Sequence, residues 1–189
     1  MKKIILALAI VSTLCSCGQS TWKPGGDKQV VDSSTSTPTT IIEKIDPSTY
    51  QTQNPENMQK VCDFIKGCGY YFLATVDGDK ARVRPFGTCT LFEGKLYIQT
   101  GHKKRTAQQL AQNPNAEICA YNTQDGKWLR LSGKLIEDER VEAKKALLDA
   151  NPQLRSMYNE NDDNTAVYFF KDAVAYISSF AGADEEIRF

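Results

Sequence analysis

The sequence predicts a mainly β, α+β domain, an antiparallel β-barrel with flanking helices. Three observations carry this prediction. Short runs rich in aromatic and β-branched residues recur around the turn dipeptides Asp77-Gly78, Glu93-Gly94 and Asp125-Gly126. Helical patterns are few, and the strand–helix–strand alternation of a doubly wound parallel sheet is missing. Of the 189 residues, an N-terminal stretch reads as leader and spacer, which leaves room for one core of ordinary size, roughly 130 to 140 residues.

Taken in order, Met1-Lys2-Lys3 places positive charge ahead of the apolar run Ile4 to Val11. That run is too short to span a bilayer but suits a secretory leader. Leu14-Cys15-Ser16-Cys17 follows and resembles the lipobox of bacterial lipoproteins, with Cys17 the expected lipidated residue and Cys15 the alternative acceptor. Residues 1–17 are therefore expected to be a lipoprotein signal peptide. The chain would then be exported and anchored to a membrane of the bacterial cell envelope. No Arg-Arg pair precedes the apolar run, so export of a prefolded, cofactor-loaded chain is not indicated. Residues 18–53 are rich in Ser, Thr, Asp, Lys and Pro and bury too little apolar surface to offset ordering entropy, so a flexible linker is expected there.

The globular domain is expected over 54–189. Asn54 is placed to cap a helix with Pro55 at its first position, and Met58, Val61, Cys62 and Ile65 mark one face of that helix, which Gly69 ends. Tyr70 to Val76 and the extended run Ala81 to Phe92 form a hairpin across Asp77-Gly78. Glu93-Gly94 turns the chain into a strand from Lys95 to Thr100. Arg105 to Gln112 then forms a polar helix stopped by Asn113-Pro114. Glu117 to Tyr121 pairs with Trp128 to Ile136. Arg140 to Ala150 is helical and Leu154 to Tyr158 is one further turn. Val167 to Phe170 and Val174 to Phe180 close the domain as two strands around Asp172.

Composition excludes several classes of function. Lys plus Arg equals Asp plus Glu at 23 each, so nothing favours a nucleic-acid partner and any basic site is local. A single histidine, His102, and irregularly spaced cysteines give no metal site. Cys62 and Cys68 lie about 240° apart around a helix and do not face each other, while Cys89 and Cys119 are expected in strands as buried packing groups. Glu137-Asp138-Glu139 and the stretch 161–164 lack calcium-loop spacing and read as a helix start and a turn.

Two constellations could carry chemistry. Thr100-Gly101-His102-Lys103-Lys104-Arg105-Thr106 stands where a strand ends and a helix begins. Free backbone N–H groups and the helix dipole favour an anion there, and consecutive cations oppose that dipole unless an anion is present. The same run could be solvated surface charge. In Arg82-Val83-Arg84-Pro85-Phe86-Gly87, the two arginines share a strand face, Pro85 suits an irregular or edge strand, and Gly87 permits close backbone approach. A charged edge protected against aggregation would look alike.

Together with Tyr71 to Val76, Leu96 to Gly101 and Ala107 to Pro114, these motifs resemble the pyridoxamine 5'-phosphate oxidase superfamily over roughly residues 56 to 180. The resemblance implies a six-stranded antiparallel split β-barrel, usually a homodimer, with FMN at the subunit interface. It implies that Arg82 and Arg84 approach the flavin phosphate or ribityl chain, and that Pro85, Phe86 and Gly87 border the ring, with Gln99 and Thr100 continuing that wall. Lys103, Lys104 and Arg105 would clamp the phosphate, and Trp128 would face the flavin or fill the barrel mouth. His102 could orient a phosphate, protonate a reduced flavin, or have no role.

True members of the namesake activity carry a further C-terminal segment that holds the substrate. This chain stops at Phe189, so pyridoxamine phosphate is not its expected substrate. The superfamily also includes flavin reductases, nitroimidazole-reductase-like, deazaflavin-dependent and haem-handling proteins, and fold does not choose among them. The expectation is an FMN-dependent oxidoreductase acting on a small molecule, with no catalytic residue assigned. The alternatives are a flavin- or haem-holding lipoprotein without turnover, and a barrel that has lost its cofactor.

Overall fold

The computed structural model describes residues 45–189. The leader, Cys17 and most of the expected spacer lie outside the described residues.

Helix α1 (Pro55–Gly67) buries Met58, Val61, Cys62 and Ile65, the face its spacing predicts. Asn54 does not cap it through its side chain. The first turn closes instead through the N–H groups of Asn57 and Met58, which donate to the Asn54 carbonyl at 3.1 and 3.3 Å. Gly69, at φ 77°, then turns the chain into the sheet.

Strands β1 (Tyr71–Asp77) and β2 (Lys80–Phe86) form the predicted hairpin, with Asp77 opposite Lys80. β3 (Thr90–Phe92) and β4 (Lys95–Gly101) form a second one around Glu93 and Gly94, at φ 46° and 73°. Two successive left-handed residues are what a two-residue type I′ loop requires. Helix α2 (Arg105–Gln112) follows, then β5 (Asn115–Tyr121), β6 (Trp128–Glu137), α3 (Val141–Ala150), a 3-10 turn at Pro152–Ser156, β7 (Thr165–Ser178) and β8 (Glu185–Arg188).

Every pairing is antiparallel, in the order β2-β1-β5-β6-β7-β4-β3, with β8 added to β7. The strands of seven residues or more are β1, β2, β4, β5, β6 and β7, which make the expected six-stranded barrel; β3 and β8 are short additions. The two ends of this path, β2 and β3, are consecutive in the chain and joined only by Gly87, Thr88 and Cys89. That link spans at most about 14 Å. The sheet must therefore curl until its edges nearly meet, leaving a seam between β2 and β3.

Alternation decides the two faces. Tyr71, Leu73, Ile118, Ala120, Leu129, Leu131, Ala175 and the buried face of α1 fill the barrel. On the other side of β4 and β7, Tyr97, Val167 and Phe169 meet Ala143 and Leu147 of α3. β4 is buried along its whole length because both of its faces are covered.

The structure corrects four expectations. The run 81–92 is two strands with different partners, because the chain switches edges at the seam. The segments 167–170 and 174–180 belong to one strand, β7: Asp172 adopts φ 51°, and Lys171 to Val174 stands opposite Ser132 to Lys134 as a bulge with one extra residue. Cys89 lies in the seam link and not in a strand, and Cys119 is exposed because its position in β5 points outward. The domain also begins before residue 54, since the Tyr50 ring packs on Phe169 at 5.4 Å and its hydroxyl accepts the Asp172 N–H at 3.3 Å.

Candidate functional site

The loop from β4 into α2 is held from below. The N–H groups of His102 and Lys103 donate to the Asn164 carbonyl and to its Oδ1, at 2.9 and 3.2 Å, and Lys104 N–H donates to the Gly101 carbonyl at 2.9 Å. Gly101 is needed for this closeness, since a Cβ there would lie 3.0 Å from Asn164 Oδ1 and 3.3 Å from Tyr158 Cε1. Helix α2 begins with no side-chain cap and no acidic residue in its first turn. Lys103, Lys104 and Arg105 are exposed, and among the described residues their side chains have no ion-pair or hydrogen-bond partner. Uncompensated cations at the positive end of a helix repel both each other and the dipole, and an anion relieves both.

Arg82 and Arg84 share a face, as the sequence predicts, but they are not equivalent. Arg82 Nε donates to Asp77 at 2.8 Å. Arg84, opposite Leu73 on the inner side of the sheet, turns toward α2. Its guanidinium donates to Thr75 Oγ1 at 2.6 Å, to the Leu73 carbonyl at 3.2 Å and to Gln109 Oε1 at 2.7 Å, while Thr75 itself donates to Gln109 at 2.7 Å. Burial and then the neighbouring Arg82 charge pull the Arg84 pKa below its usual value. No carboxylate pairs with Arg84 among the described residues. Beside it, Asp77, Arg105, Gln108, Gln109 and Gln112 line a cleft of about 180 Å³.

Thr75, Gln109 and Asn164 are the site residues sequence reasoning missed. Gln109 left a signal: with Thr106 and Leu110 it lies on the buried face of α2, where a polar side chain requires a partner.

The remaining predicted positions spread around the seam. Phe86 points inward onto Tyr71, with ring centroids 5.9 Å apart, whereas Pro85 points outward. Gly87 is exposed, and the nearest atom to a Cβ placed there is the Gly69 carbonyl oxygen at 4.0 Å, so its surroundings are open. Thr88 behind it is fixed, accepting the Gln99 N–H at 3.2 Å on Oγ1 and the Tyr71 hydroxyl at 2.7 Å on its carbonyl. Gln99 and Thr100 are buried on opposite faces of β4, and the Gln99 amide folds back onto the Thr100 carbonyl at 2.8 Å. Trp128 is not brought to the arginines: it lies on the outer face, three strands from β2, packed on Phe180 at 5.1 Å.

His102 is committed on both ring nitrogens. Nδ1 meets the Asp163 carbonyl at 2.7 Å and Nε2 meets the Glu137 carboxylate. Burial alone would lower its pKa, but the hydrogen bonds to Glu137 and Asp163, together with the Glu137 charge, outweigh burial and raise it. The ring is a latch between the basic loop, the end of β6 and the 163–164 turn.

The outer face carries exposed apolar side chains beside the Glu117–Arg130 ion pair. Phe72, Val83, Tyr121 and Phe180 are exposed there or beside it, with Phe72, Ala74 and Val76 of β1 opposite Pro85, Val83 and Ala81 of β2. A shallow cleft of about 450 Å³ in this face is lined by Ala74, Ala81, Ala116 and Gly133 together with Glu117, Lys134 and Asp172. Large contiguous exposed apolar patches are a mark of interaction surfaces.

Comparison with known proteins gives a consistent result. The sequence pattern of the pyridoxamine 5'-phosphate oxidase family matches residues 58–178. A NimC/NimA family protein from Clostridium acetobutylicum is 38% identical, superposes with a TM-score of 0.70, and aligns over 74% of this chain and 100% of its own. General Stress Protein 26 from Bacillus anthracis (19% identity, TM-score 0.57) aligns over 71% of this chain and 98% of its own. A heme binding protein from Mycobacterium smegmatis (15% identity, TM-score 0.56) aligns over 74% and 59%. At those identities the last two share the fold. No curated protein matches the chain.

Proposed function

Since the chain belongs to the pyridoxamine 5'-phosphate oxidase family, we propose that it binds FMN and serves as an oxidoreductase for a small molecule, working as a homodimer. The observation that carries this reading is a set of cations without counter-charges: Lys103, Lys104 and Arg105 at the start of α2, and Arg84 turned toward the same helix. A flavin phosphate supplies the missing anion. The free N–H groups of the first turn of α2 and the two lysines hold it, and Arg84, anchored by Thr75 and Gln109, adds a directed donor. The open backbone at Gly87 gives a planar ring room to lie along the seam. Bound FMN supplies the redox chemistry, so the protein's part is grip and orientation. His102, engaged on both nitrogens, holds the loop in place. The dimer covers the outer face that carries Phe72, Val83 and Tyr121.

The leader-like start and Leu14-Cys15-Ser16-Cys17 support export and lipid attachment at Cys17 as part of the same proposal. Membrane attachment is tested by labelling cells with a radioactive fatty acid, with Cys17→Ala as control; label retained in that variant excludes Cys17.

The full chain, incubated with FMN and passed through gel filtration, is expected to keep flavin absorption in a dimer-sized peak. A haem band without flavin would reassign the protein to haem handling. No chromophore, with no change in affinity on charge reversal at Lys103 and Lys104, would leave a barrel without a cofactor. Repeated reduction by a supplied donor and reoxidation by an acceptor separates an enzyme from a flavin holder.

A further inference from the structure

We propose that Cys62 and Cys89 are the site of an intramolecular disulfide that ties α1 to the seam of the barrel. The two sulfurs lie 3.1 Å apart. Both residues are buried, Cys62 on the inner face of α1 and Cys89 at the end of the link between β2 and β3. A bond needs a further approach of about 1 Å, within the reach of side-chain rotation. The other described thiols offer no such pair: Cys68 is half-buried, Cys119 is exposed, and neither is bonded to another sulfur. This inference does not depend on whether the barrel holds a flavin.

The bond forms by thiol–disulfide exchange. In the folded protein the two thiols share one hydrogen bond, which with Lys66 holds the Cys62 pKa below its usual value against burial, while the same contact and burial push Cys89 up. Before α1 docks that contact does not exist, so either cysteine starts the exchange, and Cys62 serves as the example thiolate. It attacks one sulfur of an external disulfide such as oxidised glutathione, forming a mixed disulfide and releasing one glutathione thiolate. Cys89 then attacks the Cys62 sulfur, and its proton leaves with the second glutathione. Two protein thiols lose two electrons, and one glutathione disulfide becomes two thiols. Burial makes the folding chain, before α1 docks, the natural stage for this exchange.

The bond would close a loop between positions 27 residues apart, and it would fix the segment that carries Gly87 and Thr88. Thr88 already anchors Tyr71 and Gln99. The oxidised protein is therefore a barrel whose seam is covalently pinned to its first helix.

The test is refolding of the full chain in oxidised and reduced glutathione, followed by acid quench, alkylation and tryptic mapping without reductant. Trypsin separates these two thiols from the other four, with Cys62 in 61–66, Cys89 in 83–95, Cys68 in 67–80, Cys119 in 106–127, and Cys15 with Cys17 in 4–28. The expected result is a dominant linked pair 61–66 with 83–95, and a thermal midpoint roughly 5–15 °C above that of the reduced protein. The double variant Cys62→Ala with Cys89→Ala should show no such oxidation-dependent shift. If Cys119 is glutathionylated while both 61–66 and 83–95 are recovered as alkylated free thiols, the pair is a packing contact and the proposal fails. Scrambled pairing with Cys15, Cys17, Cys68 or Cys119 overturns it equally.

Discussion

At the scale of single residues, the two arginines of β2 illustrate how one motif divides into two roles. Arg82 already has a carboxylate, and Arg84 has only neutral partners. Removing Arg84 leaves Thr75 and Gln109 bonded to each other, so Arg84→Ala should fold normally. FMN affinity, followed by quenching of flavin fluorescence, should weaken by about 10- to 100-fold, the worth of a charge-assisted hydrogen bond. Arg82→Ala should weaken it far less; equal losses would remove Arg84 from the phosphate site. His102 gives a pH signature. Its pKa is raised in the folded protein, so its contribution to stability is full below the unfolded value, about 6.5, and is lost as pH rises through the folded value. The thermal midpoint of the parent protein should exceed that of His102→Gln by more at pH 6 than at pH 8. The ring is partly exposed, so solvent screening keeps the difference small. A pH-independent gap would show that the latch does not depend on charge.

At the scale of elements, the bulge in β7 decides where the long strand can bend. The sequence marks Asp172 as a break between two strands; in the fold the left-handed φ at Asp172 absorbs one extra residue and pairing resumes. The inserted residue crowds the opposite strand. A Cβ on Gly133 would lie 3.0 Å from both Ala173 Cβ and the Lys171 carbonyl oxygen. Gly133→Ala is expected to cost about 1–3 kcal/mol in denaturant unfolding, since backbone must move to admit it. A neutral result would mean that the bulge relaxes without penalty. The same logic explains why helices were easier to read than strands. The spacing in α1 and the Asn113-Pro114 stop of α2 are local signals. The partner switch at Gly87–Cys89 depends on an edge strand contributed by a remote part of the chain.

At the scale of the whole molecule, closure of the sheet leaves one face free of helices. α3 covers β4 and the first half of β7, and α1 packs among the barrel core residues. The outer side of β1, β2 and β5 keeps Phe72, Val83 and Tyr121 exposed. Burying these groups against a second copy would be favourable at about 25 cal/mol per Å² of apolar area. Phe72→Glu should therefore shift sedimentation equilibrium toward monomer and reduce FMN retention along with it. Retained dimer with unchanged flavin binding would place the subunit contact elsewhere.

The sequence by itself determined the mainly β class, the positions of the three helices, both two-residue hairpins and the basic run before α2. These follow from turn chemistry, periodicity and capping within a few residues of one another. It also brought Arg82 and Arg84 to one face, because strand alternation is a local rule. Only the tertiary structure decided which arginine is left without a counter-charge, that His102 is spent as a latch on Glu137 and Asp163, that Gln109 orients Arg84, and that Cys62 meets Cys89. Each of these joins residues far apart in the chain, and such contacts exist only once the sheet has curled and its two edges have been brought together.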